Sequence, residues 1–387
     1  MTVLVVSGTR PDKIGVGEIF LSNMCSGIDV KRIFVSDVDK NIAISDANCV
    51  DSFFYKNISW PILSDINIYF FYKTKAAEYA REILTEIRKD KYKEVVFVLS
   101  SPAIILILSE IIKINGRFKF RVLVWDVLEY ICSNLRVSRF TSNMLGKAYK
   151  KIIKSSLSLG VVSEGMYRNY FALDKFDIEP NKVFILRNAI DNQEKYSKNL
   201  PMLTDSKAKK FRIVFAGSLY CRAEWDALVT ALQSVDFIVS NKKVELVFIG
   251  TPGRLTKFPE FGVINLGYLT QSQTLNVIKD CDAGYMPYWF SLKKELVVKT
   301  SFPGKVTSYL STNLPIFYHG PENADVCGFV LKYNCGVTCT SLEQNKILHC
   351  IEKLMKDAKN IDLEEASSLF KQETVSTQFK KFVNLDD

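Results

Sequence analysis

The segment Thr300-Ser301-Phe302-Pro303-Gly304-Lys305 runs into Val306-Thr307-Ser308-Tyr309-Leu310, and Asn313-Leu314-Pro315-Ile316 follows. A Pro-Gly turn there opens a helix with a lysine in its first turn. The helix stops at the asparagine, and a short apolar strand begins. The first turn of a helix leaves backbone N–H groups unpaired and carries the positive end of the dipole, so it attracts anions, phosphate above all. Lys305 adds a mobile point charge beside it. The same spacing also fits an ordinary strand-to-helix turn with a surface lysine. Two acids stand just past an apolar run in Val124-Trp125-Asp126-Val127-Leu128-Glu129. A carboxylate at that place can face a reacting hydroxyl, or simply belong to a surface loop. Histidine is scarce: only His319 and His349 exist, so the first half of the chain holds no histidine base. His319 follows the strand after the lysine helix and reads equally as a site residue or a structural one.

These groups need elements to hold them, and the apolar pattern supplies them. Val3–Ser7, Val30–Val35, Val95–Leu99, Phe120–Trp125, Leu157–Val162 and Val183–Leu186 read as strands. Between them Gly15–Ser26, Lys75–Lys89, Ala103–Ile114, Ser138–Ser155 and Glu164–Phe171 read as helices. Near-continuous apolar strands alternating with helices predict a parallel, doubly wound sheet. Residues 191–210 are polar and without period, a linker by composition. The alternation then restarts with Arg212–Ala216, a helix from about Glu224 to Val239, Val244–Ile249, Val263–Leu266, a helix near Gln271–Lys279, Ala283–Met286, the lysine helix and Pro315–Tyr318. The expected organisation is one α/β domain over 1–190, the linker, a second α/β domain over 211–365, and a last helix, 366–387, crossing back to the first. Two such halves put a cleft between them, with the strand carboxyl ends facing it, where ligands of these sheets bind. In that setting Lys305 points to a nucleoside diphosphate.

Composition narrows the partners. A chain of 387 residues with a formal charge of +9 favours phosphates or an anionic membrane surface; no zinc finger, RNP box or basic arm accompanies the charge, so nucleic acid is not expected. Nine scattered cysteines without a CxxC pair read as reduced thiols, and no metal is expected. Thr2 to Val6 runs directly into a strand with no basic leader, which reads as cytoplasmic. The most apolar run, Val95 to Ile114, carries Ser100-Ser101-Pro102 and Glu110 and reads as a strand turning into a helix rather than a membrane span. Lys147, Lys150, Lys151 and Lys154 share a helix with Leu145, Ile152 and Ile153. Such a face is either solvated or rests on an anionic membrane as a peripheral contact at the inner face of the cytoplasmic membrane.

In order and spacing, these residues resemble a GT-B fold glycosyltransferase, and most of all the nucleotide-sugar-dependent, mostly retaining family four enzymes that build bacterial surface polysaccharides. Phe215-Ala216-Gly217-Ser218, then Arg222, is similar to the first strand of that family's donor domain, where a small loop and a basic residue approach the diphosphate. Val247-Phe248-Ile249-Gly250 is similar to its second strand, and Leu266-Gly267-Tyr268-Leu269 to the loop near the nucleotide base. Ser301 through Pro315 resembles the signature helix, with Lys305 in the P-x-K position. Gly15-Val16-Gly17-Glu18 is similar to the glycine-rich loop beneath the donor phosphates. Val162-Ser163-Glu164-Gly165-Met166 and Arg187-Asn188-Ala189-Ile190-Asp191 resemble the stretch leading into the hinge.

The resemblance implies two Rossmann-like domains facing a central cleft, a UDP-, GDP- or dTDP-type sugar donor, no metal or other cofactor, and a glycan or lipid-linked glycan acceptor. Arg222, Lys305 and Asp126 become the expected catalytic set. Gly15, Gly17, Gly217, Ser218, Tyr268, Ser301, Phe302, Pro303, Gly304, Ser308 and Glu322 become the expected donor contacts. One departure is plain: many members carry two glutamates eight positions apart where Thr300 and Ser308 stand here. A serine reaches less far than a glutamate and is uncharged, so Glu295 or Glu322 is the candidate replacement for holding the ribose. Three rivals remain. A sugar-nucleotide 2-epimerase of the same fold class would bring more acid and histidine into the cleft. A non-catalytic relative would bind a nucleotide or partner only. A dinucleotide oxidoreductase would need a full G-x-G-x-x-G, and Phe20 occupies its last position.

Overall fold

A computed structural model describes residues 2–9, 16–37, 48–90, 92–172, 176, 178–189, 210–251 and 258–385. Gly15 and the expected linker up to residue 209 lie outside the described residues. The chain forms two compact units, residues 1–189 with 372–387, and residues 190–371.

The first unit holds a seven-stranded parallel sheet: β1 (Val3–Ser7), β2 (Val30–Ser36), β3 (Cys49–Phe54), β4 (Glu94–Val98), β5 (Arg121–Val124), β6 (Leu159–Val161) and β7 (Val183–Ile185). Their order is β3-β2-β1-β4-β5-β6-β7. Strand order therefore reverses between β1 and β4, the switch point of a doubly wound sheet. The apolar run after residue 94 divides into β4 and the helix Pro102–Ile114, with Pro102 at the first helical position and Ser101 accepting from the Ile104 N–H. Among the described residues no helix is long and apolar enough to cross a membrane. The helix Gln372–Phe382 belongs to this unit: Val375, Phe379 and Phe382 pack with Val3, Val5 and Leu21, and Ser376 Oγ donates to the Ser26 carbonyl at 3.2 Å.

The second unit repeats the scheme with β8 (Lys210–Ala216), β9 (Ile238–Val239), β10 (Lys242–Ile249), β11 (Val263–Asn265), β12 (Ala283–Pro287), β13 (Ile316–His319) and β14 (Gly336–Cys339). The parallel order is β11-β10-β8-β12-β13-β14, so the switch point falls between β8 and β12. Alternate residues of one strand feed two different cores. Val214, Ala216, Val247 and Ile249 pack against the helices Gln271–Lys279, Lys305–Ser311 and Asp325–Lys332. Phe211, Ile213, Phe215, Val244, Leu246 and Phe248 pack against Arg222–Gln233 and Gln344–Asp357. Both faces are dry over Ile213–Ala216 and Leu246–Ile249, which is why those stretches read as apolar runs, while the buried Arg212 and Glu245 before them pair at 3.2 Å.

Several elements differ from the sequence expectation. The helix expected to reach Val239 ends at Gln233, because Asp236 and Phe237 take positive φ and Ile238–Val239 turns back as a short antiparallel strand through Ser240-Asn241, also at positive φ. Glu129 does not lie in a loop but opens the helix Leu128–Leu135. The stretch after Glu164 starts as an α-turn and continues as a π-helical turn, Tyr167–Phe171. Strands β3 and β14 and the helix Leu63–Thr74 have no counterpart in the expected pattern.

Candidate functional site

The carboxyl ends of the second sheet are built on glycine. Gly217 ends β8 at φ +117° and Gly250 ends β10 at φ +135°; a Cβ at Gly250 would lie 2.2 Å from the Gly217 carbonyl oxygen. Such an approach of two backbones excludes any side chain. The amide of Gly217 donates to the Ile249 carbonyl and that of Gly250 to the Gly267 carbonyl, both at 2.7 Å. The bare backbone of Gly217 and the side chain of Ser218 are exposed on this edge.

Lys305 lies over that edge. It opens the helix Lys305–Ser311, with Gly304 before it and Asn313 at φ 54° closing it, as the Pro-Gly and Asn signals predicted. Its Cε and Nζ stand 3.0 and 3.2 Å from where a Gly217 Cβ would be. The ammonium sits 4.6 Å from the Tyr220 ring centroid and 5.2 Å from that of Phe215, a cation held by aromatic faces. Among the described residues no carboxylate pairs with it. Loss of hydration pushes its pKa down to about 8, with Cys221 opposing. The helix is only seven residues long, so the lysine rather than a helix dipole dominates the local charge.

The loop after β12 ties these pieces together. Tyr288 Oη donates to the Ser301 carbonyl at 3.2 Å and contacts its Oγ at 3.1 Å. Trp289 Nε1 donates to the Tyr220 carbonyl at 2.9 Å, and the Phe290 amide donates to Glu224 Oε1 at 2.9 Å. Glu224 is itself buried, and its Oε2 has no hydrogen-bond partner. Sequence reasoning passed over Tyr288, Trp289, Phe290 and Glu224. The available signal was an aromatic run directly after an apolar strand.

The other expected residues fall into place unevenly. Ser301, Phe302 and Pro303 are partly buried and Gly304 exposed, in the turn leading to Lys305; Ser308 follows one turn on, toward the same side of the helix. Thr300 is buried and its hydroxyl donates to the Leu296 carbonyl of its own helix. Glu295 is paired with Lys299 at 2.6 Å. Tyr268 is exposed after β11, two strands from β8 on one side; Glu322 is exposed after β13, two strands away on the other. Arg222 opens its helix on the solvent side, paired with Asp226 at 3.3 Å. His319 is fully buried: Nε2 donates to the Ser341 carbonyl at 2.9 Å, so Nδ1 accepts from Tyr285 Oη at 2.8 Å. Burial lowers its pKa to about 4, and this neutral, doubly bonded ring is structural.

In the first unit Gly17 packs under Trp125: a Cβ would stand 2.8 Å from the indole and from Thr9. This contact brings Gly17 against the turn that carries Asp126. Burial of its carboxyl raises the Asp126 pKa above the usual carboxylate range.

No protein-family model and no curated protein sequence matches the chain. Solved structures do. An Escherichia coli structure described as trehalose-6-phosphate bound with UDP-2-fluoro glucose superposes with a TM-score of 0.65 at 10% identity, covering 99% of this chain and 98% of that one. Anabaena HepE in complex with UDP and glucose gives 0.61 at 12%, covering 100% of both. The fold is GT-B. The UDP-GlcNAc 2-epimerase from Methanocaldococcus jannaschii gives 0.57 at 12%, again over 100% of both chains. This GT-B chain thus shares its architecture with these structures at identities too low to carry more than the fold.

Proposed function

We propose that the chain is a glycosyltransferase that moves a sugar from a nucleoside diphosphate sugar to a hydroxyl of a glycan or lipid-linked glycan, with retention and without a metal, in surface polysaccharide synthesis at the inner face of the cytoplasmic membrane. One observation carries the reading: Lys305, short of hydration and with no carboxylate partner among the described residues, lies over the bare Gly217 backbone at the switch point of a GT-B sheet. A cation in that state gains most from an anion, and two of the neighbouring structures hold UDP-2-fluoro glucose or UDP and glucose.

In this reading the departing diphosphate lies along Gly217 and Ser218, and Lys305 neutralises the charge that grows as the sugar–oxygen bond breaks. The Ser301–Gly304 turn, with Phe302 and Pro303, completes the cradle. Arg222 joins it only by leaving Asp226. Tyr268 stands about 10 Å from β8 across two strand spacings, a suitable reach for a base, and Ser308 or Glu322 takes the ribose. Gly17 and Asp126 serve the acceptor side, Asp126 as the orienting carboxylate. In a retaining reaction the departing phosphate oxygen accepts the acceptor proton, so no dedicated base is needed.

The 2-epimerase reading has a structural neighbour in its favour. Against it, His319 has both ring nitrogens engaged and His349 is exposed on the helix Gln344–Asp357. A thermal-shift panel of UDP, GDP, dTDP and their sugar conjugates, with NAD as control, tests the reading. One nucleoside diphosphate should raise Tm, the shift should vanish in Lys305→Ala, and acceptor should be needed for diphosphate release. No shift with any nucleotide would sink the donor site; epimerised sugar nucleotide without acceptor would favour the rival.

A further inference from the structure

The helix Leu63–Thr74 is apolar on the wrong side. Ser64, Ile68 and Phe71 face the first unit's core. The opposite stripe should be polar in a surface helix, yet it presents Ile62, Leu63, Ile66, Tyr69 and Phe70, with Trp60 just before, each more than half exposed. With Phe54, seven of the sixteen exposed large apolar side chains among the described residues fall within seventeen positions. Together they expose on the order of 700 Å², beyond the ~300–600 Å² of the largest patch on a typical monomer.

This pad continues into a basic stripe. Asp65, the only acid between Phe54 and Lys75, accepts from the Ser138 amide at 3.0 Å and from its hydroxyl at 2.9 Å, which caps the helix Arg139–Ser155 beside the pad. Phe140, 76% exposed, stands in the first turn of that helix. Lys147, Lys150, Lys151 and Lys154 follow on its exposed face, over about 21 Å of helix without one acid. Lys73 lies over the Tyr69 and Tyr72 rings at 5.5 and 5.8 Å at the far rim.

We infer that this surface docks the chain on an anionic lipid bilayer, the pad entering the headgroup boundary and the lysine stripe lying on the phosphates. Trp, Tyr and Phe beside lysines are what an interface between water and lipid selects. A protein interface depletes lysine, and a second copy of the chain would bring the same lysine-rich stripe against this one. The expected amphipathic lysine face is altered in one respect: Leu145, Ile152 and Ile153 are buried within the unit, so the apolar anchor is the helix Leu63–Thr74 and the lysines supply attraction. This docking rests on the membrane location in the proposed function but on neither donor nor acceptor. Its failure would remove that location and leave the transfer chemistry standing, and loss of the nucleotide response would leave the docking standing.

The test is flotation of the full chain with vesicles of phosphatidylcholine and phosphatidylglycerol, about three to one, against phosphatidylcholine alone. Binding should be at least tenfold stronger with the anionic lipid and fall with salt. Lys147→Gln with Lys150→Gln and Lys154→Gln should weaken it roughly one hundredfold. Ile66→Ser with Phe70→Ser and Phe140→Ser should weaken it comparably, with the nucleotide response kept. The Trp60 emission should shift to the blue on vesicles, a change lost in Trp60→Phe. Equal binding to neutral vesicles, or binding unchanged in both triple variants, overturns the inference. So does a micromolar dimer that the apolar variant alone dissolves.

Discussion

Lys305 carries a measurable pH signature. In the proposed role its charged form holds the anion, and loss of hydration lowers its pKa to about 8. Affinity for a nucleoside diphosphate should be full near neutrality and fall above about pH 8, approaching tenfold per pH unit until the value in the complex is passed. Calorimetry should show this fall, Lys305→Arg should remove it, and Lys305→Gln should bind weakly at every pH. The same lowered value acts oppositely on folding. Between about 8 and the ordinary 10.5 the unfolded chain binds more protons, so this residue's contribution to stability rises with pH. His319 has the same sign in another window: its pKa falls from 6.5 to about 4, so acidification through that range protonates the unfolded chain first. Urea unfolding should show stability falling with that slope, by up to about 3 kcal/mol, and His319→Gln should flatten it. Lys305 was legible in the sequence because its signal is local, a Pro-Gly-Lys turn. Glu224 was not, because its partner at Phe290 is 66 positions away and burial alone reveals it.

Among elements, the glycine edge of the second sheet tolerates least. Gly250→Ala would force a methyl into the Gly217 carbonyl and demand φ +135° from a residue with a Cβ. A loss of about 3 kcal/mol or more is expected, read by chemical denaturation, with nucleotide response lost at temperatures where the chain still folds. Tyr288→Phe removes only the contacts to Ser301. It should cost about 1 kcal/mol and weaken nucleotide binding by loosening the turn before Lys305, with Tm and calorimetry as the two readings. Strands β8 and β10 were readable because both faces are dry. β3 escaped notice because it is an edge strand, only half-buried over most of its length, with Asp51 and Ser52 in its middle. The helix Leu63–Thr74 escaped because apolar residues on both faces erase the helical period. Arg222–Gln233 was overrun because nothing apolar marks its end, and positive φ at Asp236 and Phe237 does so instead.

At the scale of the molecule, the first unit is discontinuous in sequence. Its core includes Val375, Phe379, Phe382 and Val383, all fully buried, and Ser158 Oγ donates to the Phe382 carbonyl at 3.2 Å. Removing residues 372–387 would strip four apolar side chains at roughly 1.5–3 kcal/mol each, comparable with the whole stability of a domain. The expected result is a first unit whose amides exchange freely while those of the second remain protected, read by hydrogen exchange resolved to peptides; unchanged protection in β1 and β4 would refute it. The sheets themselves could be read from alternation, whereas the helix that completes one of them is joined to it only by packing. The same discontinuity sets an order of events during synthesis. The ribosome finishes residues 1–189, then must add all 182 residues up to Lys371 before the closing helix emerges. At 5–20 residues per second that interval is about 10–40 s, during which the second unit can fold while the nascent first sheet waits with an uncovered face for a chaperone to guard.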